Sequence, residues 1–353
     1  MYTMKVEKQS PIQITRSGQS VHIIDSEKGI DYHCFDSGRG SNLVGTIVFI
    51  PGLGAAIASV VDGFSHLVSH GYRVIGLDMR DVGLTVMNES HKPTFGLQHT
   101  NALYDHHNHV SRAVKLISNV MSQNVEQLYS MHDLAHDIEF VVTQLLGEHA
   151  QFSIVGASMG SLVTQQYAMI FPHRLKSVTL FCSPCNSVDS GLETLPNLEI
   201  LLSMIWYTFI SLSADRERKP AFARTDEELA TTFKLMRKSF NSTVTDEEIL
   251  ARITNSLEMT SERHRGPLYV RQLMAAVDGT DSLSLYYPKT IPTLILHGSN
   301  DTTMPIQNTK RLSELIPHAQ VIILEGSNHT VSSDEFYDII HRFINPWIQN
   351  EAN

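Results

Sequence analysis

Gly156, Ser158 and Gly160 stand at the spacing G-x-S-x-G, directly after the short apolar run 151–155 and before residues 161–171, which have helical spacing. A serine on so tight a strand-to-helix turn sits in strained backbone, and flanking glycines relieve the crowding. The turn lifts the hydroxyl above a sheet and leaves the N–H groups that open the helix facing the space beside it. Two more polar residues end apolar runs in the same way. Asp301 closes the turn after residues 292–298, and His329 follows residues 321–324 through a polar turn. A serine hydroxyl is a poor nucleophile near neutral pH. An imidazole must take its proton, and a carboxylate must fix the imidazole tautomer and stabilise the cation that forms. Ser158, His329 and Asp301 supply these three types, and the N–H of Met159 supplies one donor for a developing oxyanion.

Each of these residues also has a plainer reading. G-x-S-x-G alone is a glycine-rich turn, His329 is one of 18 histidines, and Asp301 could cap a helix, with Asn300 beside it. Their shared position after apolar runs, in the order Ser, Asp, His, favours the chemical reading.

The elements that would hold them alternate. Residues 12–36 run in short alternating stretches split by Gly and Ser, which predicts antiparallel edge strands. From Thr46 onward continuous apolar strands alternate with helical patterns, the mark of a mostly parallel sheet covered on both faces. Helices are expected over 55–70 and 130–147, the second opened by Ser130 and Asp133 as an acidic capping box. A strand at 176–182 is followed by a long helical stretch, 186–288, with capping boxes at Thr225/Glu228 and Thr245/Glu248. Strands resume at Thr293, and residues 332–349 make a closing helix with Ser332 and Glu335 as its box.

The order and placement of Ser158, Asp301 and His329 resemble the α/β-hydrolase family. Residues 45–54 are similar to the family strand that ends in the oxyanion loop, and 72–78 to the next strand. Residues 78–85 are similar to the turn D-x-R-x-x-G-x-S, with Thr85 in the Ser place. The turn at Arg80-Asp81 and residues 266–272 look most like bacterial esterases with a helical cap, polyketide methylesterases among them. The resemblance implies an α/β fold: a mostly parallel central sheet, helices on both faces and an inserted helical cap. It also implies the N–H of Leu53 as the second oxyanion donor. Pro51 departs from the family by standing where many members have His, which spares a hole built of backbone N–H groups. Residues 86–128 have no placed counterpart. The chain then divides into a first part of the core, 1–185, a helical cap, 186–288, and a second part of the core, 289–353.

Bulk properties narrow the partners. A net charge of −10 disfavours nucleic acid and anionic membranes, which need basic surface. The longest apolar stretch, 198–212, is too short for a membrane span and is broken by Glu199 and Ser203. The first ten residues lack an apolar run after their lysines, so no signal peptide is expected. Cys34, Cys182 and Cys185 make no disulfide framework, and a reduced, cytoplasmic chain is the simplest account.

The remaining motifs divide. Asp78 and Arg80 read as a buried structural pair at a strand end. Cys182 and Cys185 have redox or zinc spacing but, lacking a second pair, read as buried small residues. His99, His106, His107 and His109 read as a solvated loop. Met204, Trp206, Tyr207 and Phe209 are either the core of the cap or an apolar wall for substrate. The expected activity is hydrolysis of a small, largely apolar carboxylic ester or lactone through an acyl-serine, with no metal or cofactor. Hydrolysis of a carbon–carbon bond by the same triad, and a ligand-binding receptor or scaffold on the same fold, are the rivals.

Overall fold

The computed structural model describes residues 12–38, 43–88, 127–187, 226–239, 244–258, 265–330 and 334–349, with isolated positions between 117 and 125 and between 190 and 206. Among them ten strands form one sheet. At one edge β1 (Ile12–Ser17), β2 (Ser20–Asp25) and β3 (Ile30–Asp36) pair antiparallel. β3 also pairs antiparallel with β5 (Tyr72–Leu77) and with the short β6 (Val86–Met87). The rest is parallel, in the spatial order β5, β4 (Gly45–Ile50), β7 (Phe152–Ala157), β8 (Leu175–Phe181), β9 (Thr293–Gly298) and β10 (Gln320–Leu324). Both expectations, the antiparallel edge and the parallel centre, hold.

The helices are α1 (Phe64–Ser69), α2 (Met131–Leu146), α3 (Met159–Ile170), α4 (Asp226–Ser239), α5 (Asp246–Glu258), α6 (Arg265–Asp278), α7 (Leu283–Tyr286), α8 (Gln307–Leu315) and α9 (Asp334–Gln349). Side-chain alternation along β4 shows why the sheet needs cover on both faces. Val48 and Ile50 pack with Leu134 and Ile138 of α2 and Leu162 of α3. Ile47 and Phe49 pack on the other face with Phe64 and Leu67 of α1 and Phe336 and Ile340 of α9.

The capping chemistry at Ser130 and Thr245 is present as read. The Ser130 hydroxyl accepts from the Asp133 N–H while the Asp133 carboxylate accepts from the Ser130 N–H, and Thr245 and Glu248 do the same. Thr225 and Ser332 lie outside the described residues. One expected helix is much shorter. Residues 55–70 form two single 3₁₀ turns, Ile57–Ser59 and Val61–Gly63, before α1 begins. The Asp78 carboxylate captures the Ile57 N–H at 2.7 Å, and the β-branched pair Val60-Val61 favours helix poorly.

Asp78 and Arg80 are both buried, yet they do not pair with each other. Asp78 accepts from the N–H groups of Ile57 and Leu84 and from His33 Nδ1, tying three segments to the end of β5. Arg80 turns the other way, to Asp137 of α2, which also accepts from the Tyr32 hydroxyl at 2.7 Å. The two residues sit on one tight turn and project to opposite sides. Cys34, Cys182 and Cys185 are all buried, as expected for Cys182 and Cys185. No helix among the described residues is long and apolar enough to cross a membrane.

Between β8 and β9 the described residues include α4, α5, α6 and α7 and a parallel bridge, Ser187 to Thr280, reinforced by the Thr280 N–H on the Asn186 carbonyl at 2.9 Å. That bridge ties the two ends of the stretch together. Most of residues 86–128, the histidines at 99–109, and Met204, Tyr207 and Phe209 lie outside the described residues.

Candidate active site

Ser158 joins β7 to α3 with φ 53° and ψ −123°, a conformation that side chains other than glycine rarely take. The turn is locked by the Ser158 N–H on the Phe181 carbonyl at 2.9 Å and by the Ser161 hydroxyl on the Gly156 carbonyl at 2.6 Å. Both glycines of the motif are sterically required. A Cβ at Gly156 would run into Thr164 and the Gly160 carbonyl, and one at Gly160 would run into the carbonyls of Ile50 and Pro51 at the end of β4. Gly160 thus lets α3 lie directly over the loop that carries Leu53.

The turns that carry Asp301 and His329 are built against each other. The Asn300 N–H donates to the Ser327 carbonyl at 2.9 Å, and the Gly326 N–H to the Ser299 hydroxyl at 2.8 Å. At Gly298 a Cβ would strike the carbonyls of Ser327 and Asn328. This contact holds Asp301 and His329 at a fixed separation. His329 Nδ1 donates to Asp301 Oδ2 at 2.7 Å, and His329 Nε2 accepts from the Ser158 hydroxyl at 2.9 Å. Three residues separated by 171 and 28 positions therefore form one continuous relay.

Asp301 is buried and rich in donors. Its Oδ1 accepts from the N–H groups of Thr303 and Met304, both at 2.8 Å. Burial alone would raise its carboxyl pKa, but His329, the Met304 N–H and His297 outweigh burial and hold it below the ordinary carboxylate value. It stays ionised at neutral pH. Beside it, burial first and Asp301 second push the Cys182 thiol well up, so it stays protonated. Cys182, Asp301 and His329 offer donor atoms within 4.8 Å of one another, a spacing a metal ion could use. With a protonated thiol, and with the carboxylate and imidazole already engaged, the set is poorly suited to one.

The expected oxyanion donors flank Ser158. Met159 opens α3, where first-turn N–H groups have no acceptor within the helix. On the other side Gly52 presses its backbone on the serine: an added Cβ would lie 3.3 Å from Ser158 Cβ. Leu53 follows directly, and its side chain packs on Val270, Leu273 and Met274 of α6.

The same helix contributes Gln272, fully buried, which the sequence reading passed over. Its Oε1 accepts from the Gly54 N–H at 2.8 Å and its Nε2 donates to the Arg80 carbonyl at 2.9 Å. The motif at residues 266–272 carries no local sign of this contact. Of the four expected substrate residues only Trp206 is described, and it is 49% exposed.

A family model described as alpha/beta hydrolase fold matches residues 45–336. The chain belongs to the alpha/beta hydrolase fold family. As a member of it the chain is a hydrolase. A pimeloyl-[acyl-carrier protein] methyl ester esterase of Aliivibrio salmonicida is 24% identical over 62% of this chain and 78% of its own. The proline iminopeptidase PfmaB of Pestalotiopsis fici is 22% identical over 58% of this chain and 69% of its own. Among solved structures, a carboxylesterase of Nitrososphaera gargenis superposes with a TM-score of 0.62 at 15% identity, covering 92% of this hydrolase and 97% of that chain. At that identity the likeness concerns the fold.

Proposed function

We propose that this hydrolase cleaves a small, largely apolar carboxylic ester, or a lactone, through an acyl-serine intermediate. The observation that carries the reading is the relay from Asp301 through His329 to the Ser158 hydroxyl, with hydrogen bonds of 2.7 and 2.9 Å. His329 Nε2 takes the Ser158 proton as Oγ attacks the ester carbonyl. The carbonyl oxygen becomes an oxyanion beside the N–H groups of Met159 and Leu53. The imidazolium, steadied by ionised Asp301, returns the proton to the departing alkoxide. A water then gives one proton to His329 and attacks the acyl-serine, and His329 passes that proton to the departing Ser158 Oγ, which releases the acid and restores the hydroxyl.

An ester is favoured over an amide because an alkoxide leaves more easily than an amine, and a similar sequence belongs to a methyl ester esterase. We assign residues 186–288 to a cap over the site. Met204, Trp206, Tyr207 and Phe209 would give it an apolar wall, the usual make-up of a small-molecule site. Three buried cysteines and a net charge of −10 are compatible with the cytoplasm.

The test is a substrate panel on the purified chain: p-nitrophenyl esters of increasing acyl length, methyl esters, lactones, an N-terminal proline amide and a vinylogous 1,5-diketone. Ester or lactone turnover that exceeds the amide and diketone by orders of magnitude supports the reading. Preference for the amide or the diketone would replace it with peptide or carbon–carbon bond hydrolysis, and no turnover of any would leave a binding role.

A further inference from the structure

Away from the triad, α1 and α9 pack side by side on the sheet, and their solvent side gathers His66, His70, Asp338 and His341. We infer that His66, His70 and Asp338 form a binding site for a divalent transition ion of the zinc type that bridges α1 and α9. One donor atom from each of the three lies within 4.8 Å of the other two. Zinc holds nitrogen and carboxylate ligands at about 2.0–2.2 Å, so neighbouring ligand atoms around it stand about 3.4 Å apart, and an ion would take the place of the proton between His66 Nε2 and Asp338 Oδ1, now 2.7 Å apart.

Of the two nitrogens not offered to the ion, that of His70 is hydrogen-bonded and that of His66 faces a carboxylate at longer range. His70 Nδ1 is 2.9 Å from the His66 carbonyl oxygen, the geometry of an N–H donor, which leaves Nε2 bare as a ligand. His66 Nδ1 lies 3.8 Å from Asp334 Oδ1, while its Nε2 faces Asp338 Oδ1 at 2.7 Å. A metal-bound imidazole commonly gives its second N–H to a carbonyl or carboxylate, which fixes the tautomer and raises ligand basicity. His70 has that arrangement, and for His66 the Asp334 carboxylate stands at 3.8 Å, beyond hydrogen-bond distance but on the matching side of the ring. His66 lies on α1 and His70 caps its end, with ring centroids 5.0 Å apart. His341 stacks on His70 with ring centroids 4.1 Å apart and keeps its own Nδ1 near the Tyr72 hydroxyl at 3.1 Å, which buttresses the His70 ring. Two imidazoles and one carboxylate suit zinc, nickel or copper rather than calcium or magnesium, which take oxygen ligands. His66 and Asp338 are partly exposed, with side chains 23% and 49% accessible, so an ion can enter and complete its shell with water.

The consequence is mechanical. α1 follows the loop that carries Leu53, and α9 begins soon after His329. An ion here would staple the segments leading from the two sides of the active site without taking part in the reaction.

Zinc chloride titrated into chelator-stripped full-length protein, followed by calorimetry and thermal melting, tests this. The expected result is one ion per chain and a higher melting temperature. His70→Ala and Asp338→Asn should each weaken zinc binding by on the order of 100-fold, and Asp334→Asn by about 10-fold, the cost typical of losing an outer partner. His106→Ala combined with His107→Ala should leave it unchanged. Should His70→Ala fail to fold, His70→Gln reads the same ligand loss. Wild-type zinc affinity in both His70→Gln and Asp338→Asn, or no binding at millimolar zinc, would overturn the site.

Discussion

Gln272 accepts a hydrogen bond from the Gly54 N–H at 2.8 Å, across 218 positions of sequence. The same amide donates to the Arg80 carbonyl, so a single buried side chain fixes the loop after β4 to the turn after β5. Leu53 precedes Gly54, and its N–H direction follows from how this loop is held. Gln272 is therefore a positioning residue for the proposed oxyanion site. Gln272→Ala should lower kcat by about 10- to 100-fold with a smaller change in KM, since a misaimed oxyanion donor costs on the order of 100-fold or more when lost. Gln272→Glu should be similarly damaging, because a carboxylate cannot donate to the Arg80 carbonyl. Steady-state kinetics read the split. A variant that raises KM alone would assign Gln272 to substrate binding instead.

Ser158 stores strain at φ 53°, and strain at a functional residue is removable. Ser158→Gly should raise stability by roughly 1 kcal/mol while abolishing turnover, because glycine takes this conformation freely. Ser158→Ala should keep the strain and leave the melting temperature near wild type. Equal melting temperatures for the Gly and Ala variants would show that the turn is unstrained.

The pH dependence of the site is constrained by its buried carboxylate. His329 must be neutral to take the serine proton. Asp301 is held below its ordinary value, so it stays ionised around neutral pH and adds no step there. A rate–pH series on the wild-type chain should show no Asp301 step near neutrality. In stability the sign is the usual carboxylate one: the Asp301 contribution is present above its unfolded pKa and is lost as pH falls through the lower folded value. Asp301→Asn should cost about 10⁴ in kcat by favouring the wrong imidazole tautomer, and a rate–pH series on that variant checks it. A near-neutral effect would require another acid, sought first at the end of β8 by Cys182.

Arg80 and Asp137 test the scaffold rather than the chemistry. Both are buried, and the carboxylate also holds the Tyr32 hydroxyl. Arg80→Ala leaves a buried charge with no counterion and should cost about 3–5 kcal/mol in chemical denaturation. A loss below 1 kcal/mol would mean that water or a neighbour compensates.

The proposed cap is tested by substrate choice. Trp206→Ala and Phe209→Ala should shift relative rates on short and long esters and alter KM more than the pH profile. Unchanged selectivity in stable variants would move substrate choice elsewhere, first to residues 86–128.

The parallel centre of the sheet was legible because β4, β5, β7, β8 and β9 are buried on both faces and so read as unbroken apolar runs. Ser158, Asp301 and His329 were legible because each ends such a run, and the turns that bring them together are local. Partners set by tertiary approach were not. Asp78 and Arg80 are two apart in sequence and looked like a pair, but burial gave each a different partner on a different element. Gln272 on an amphipathic helix carries no local sign that it meets a glycine N–H over two hundred residues away. The break in residues 55–70 likewise came from a distant carboxylate, Asp78, outbidding helical hydrogen bonds for the Ile57 N–H.

The central claim, a Ser158 nucleophile that carries the acyl group, is tested most directly by mass spectrometry of the enzyme after reaction with a p-nitrophenyl alkylphosphonate. One phosphonyl group should be added per chain, on the peptide containing Ser158, with complete loss of ester turnover, and Ser158→Ala should take up no label and turn over esters on the order of 10⁶ more slowly. Labelling at another residue, or ester hydrolysis by Ser158→Ala at near wild-type rate, would contradict it.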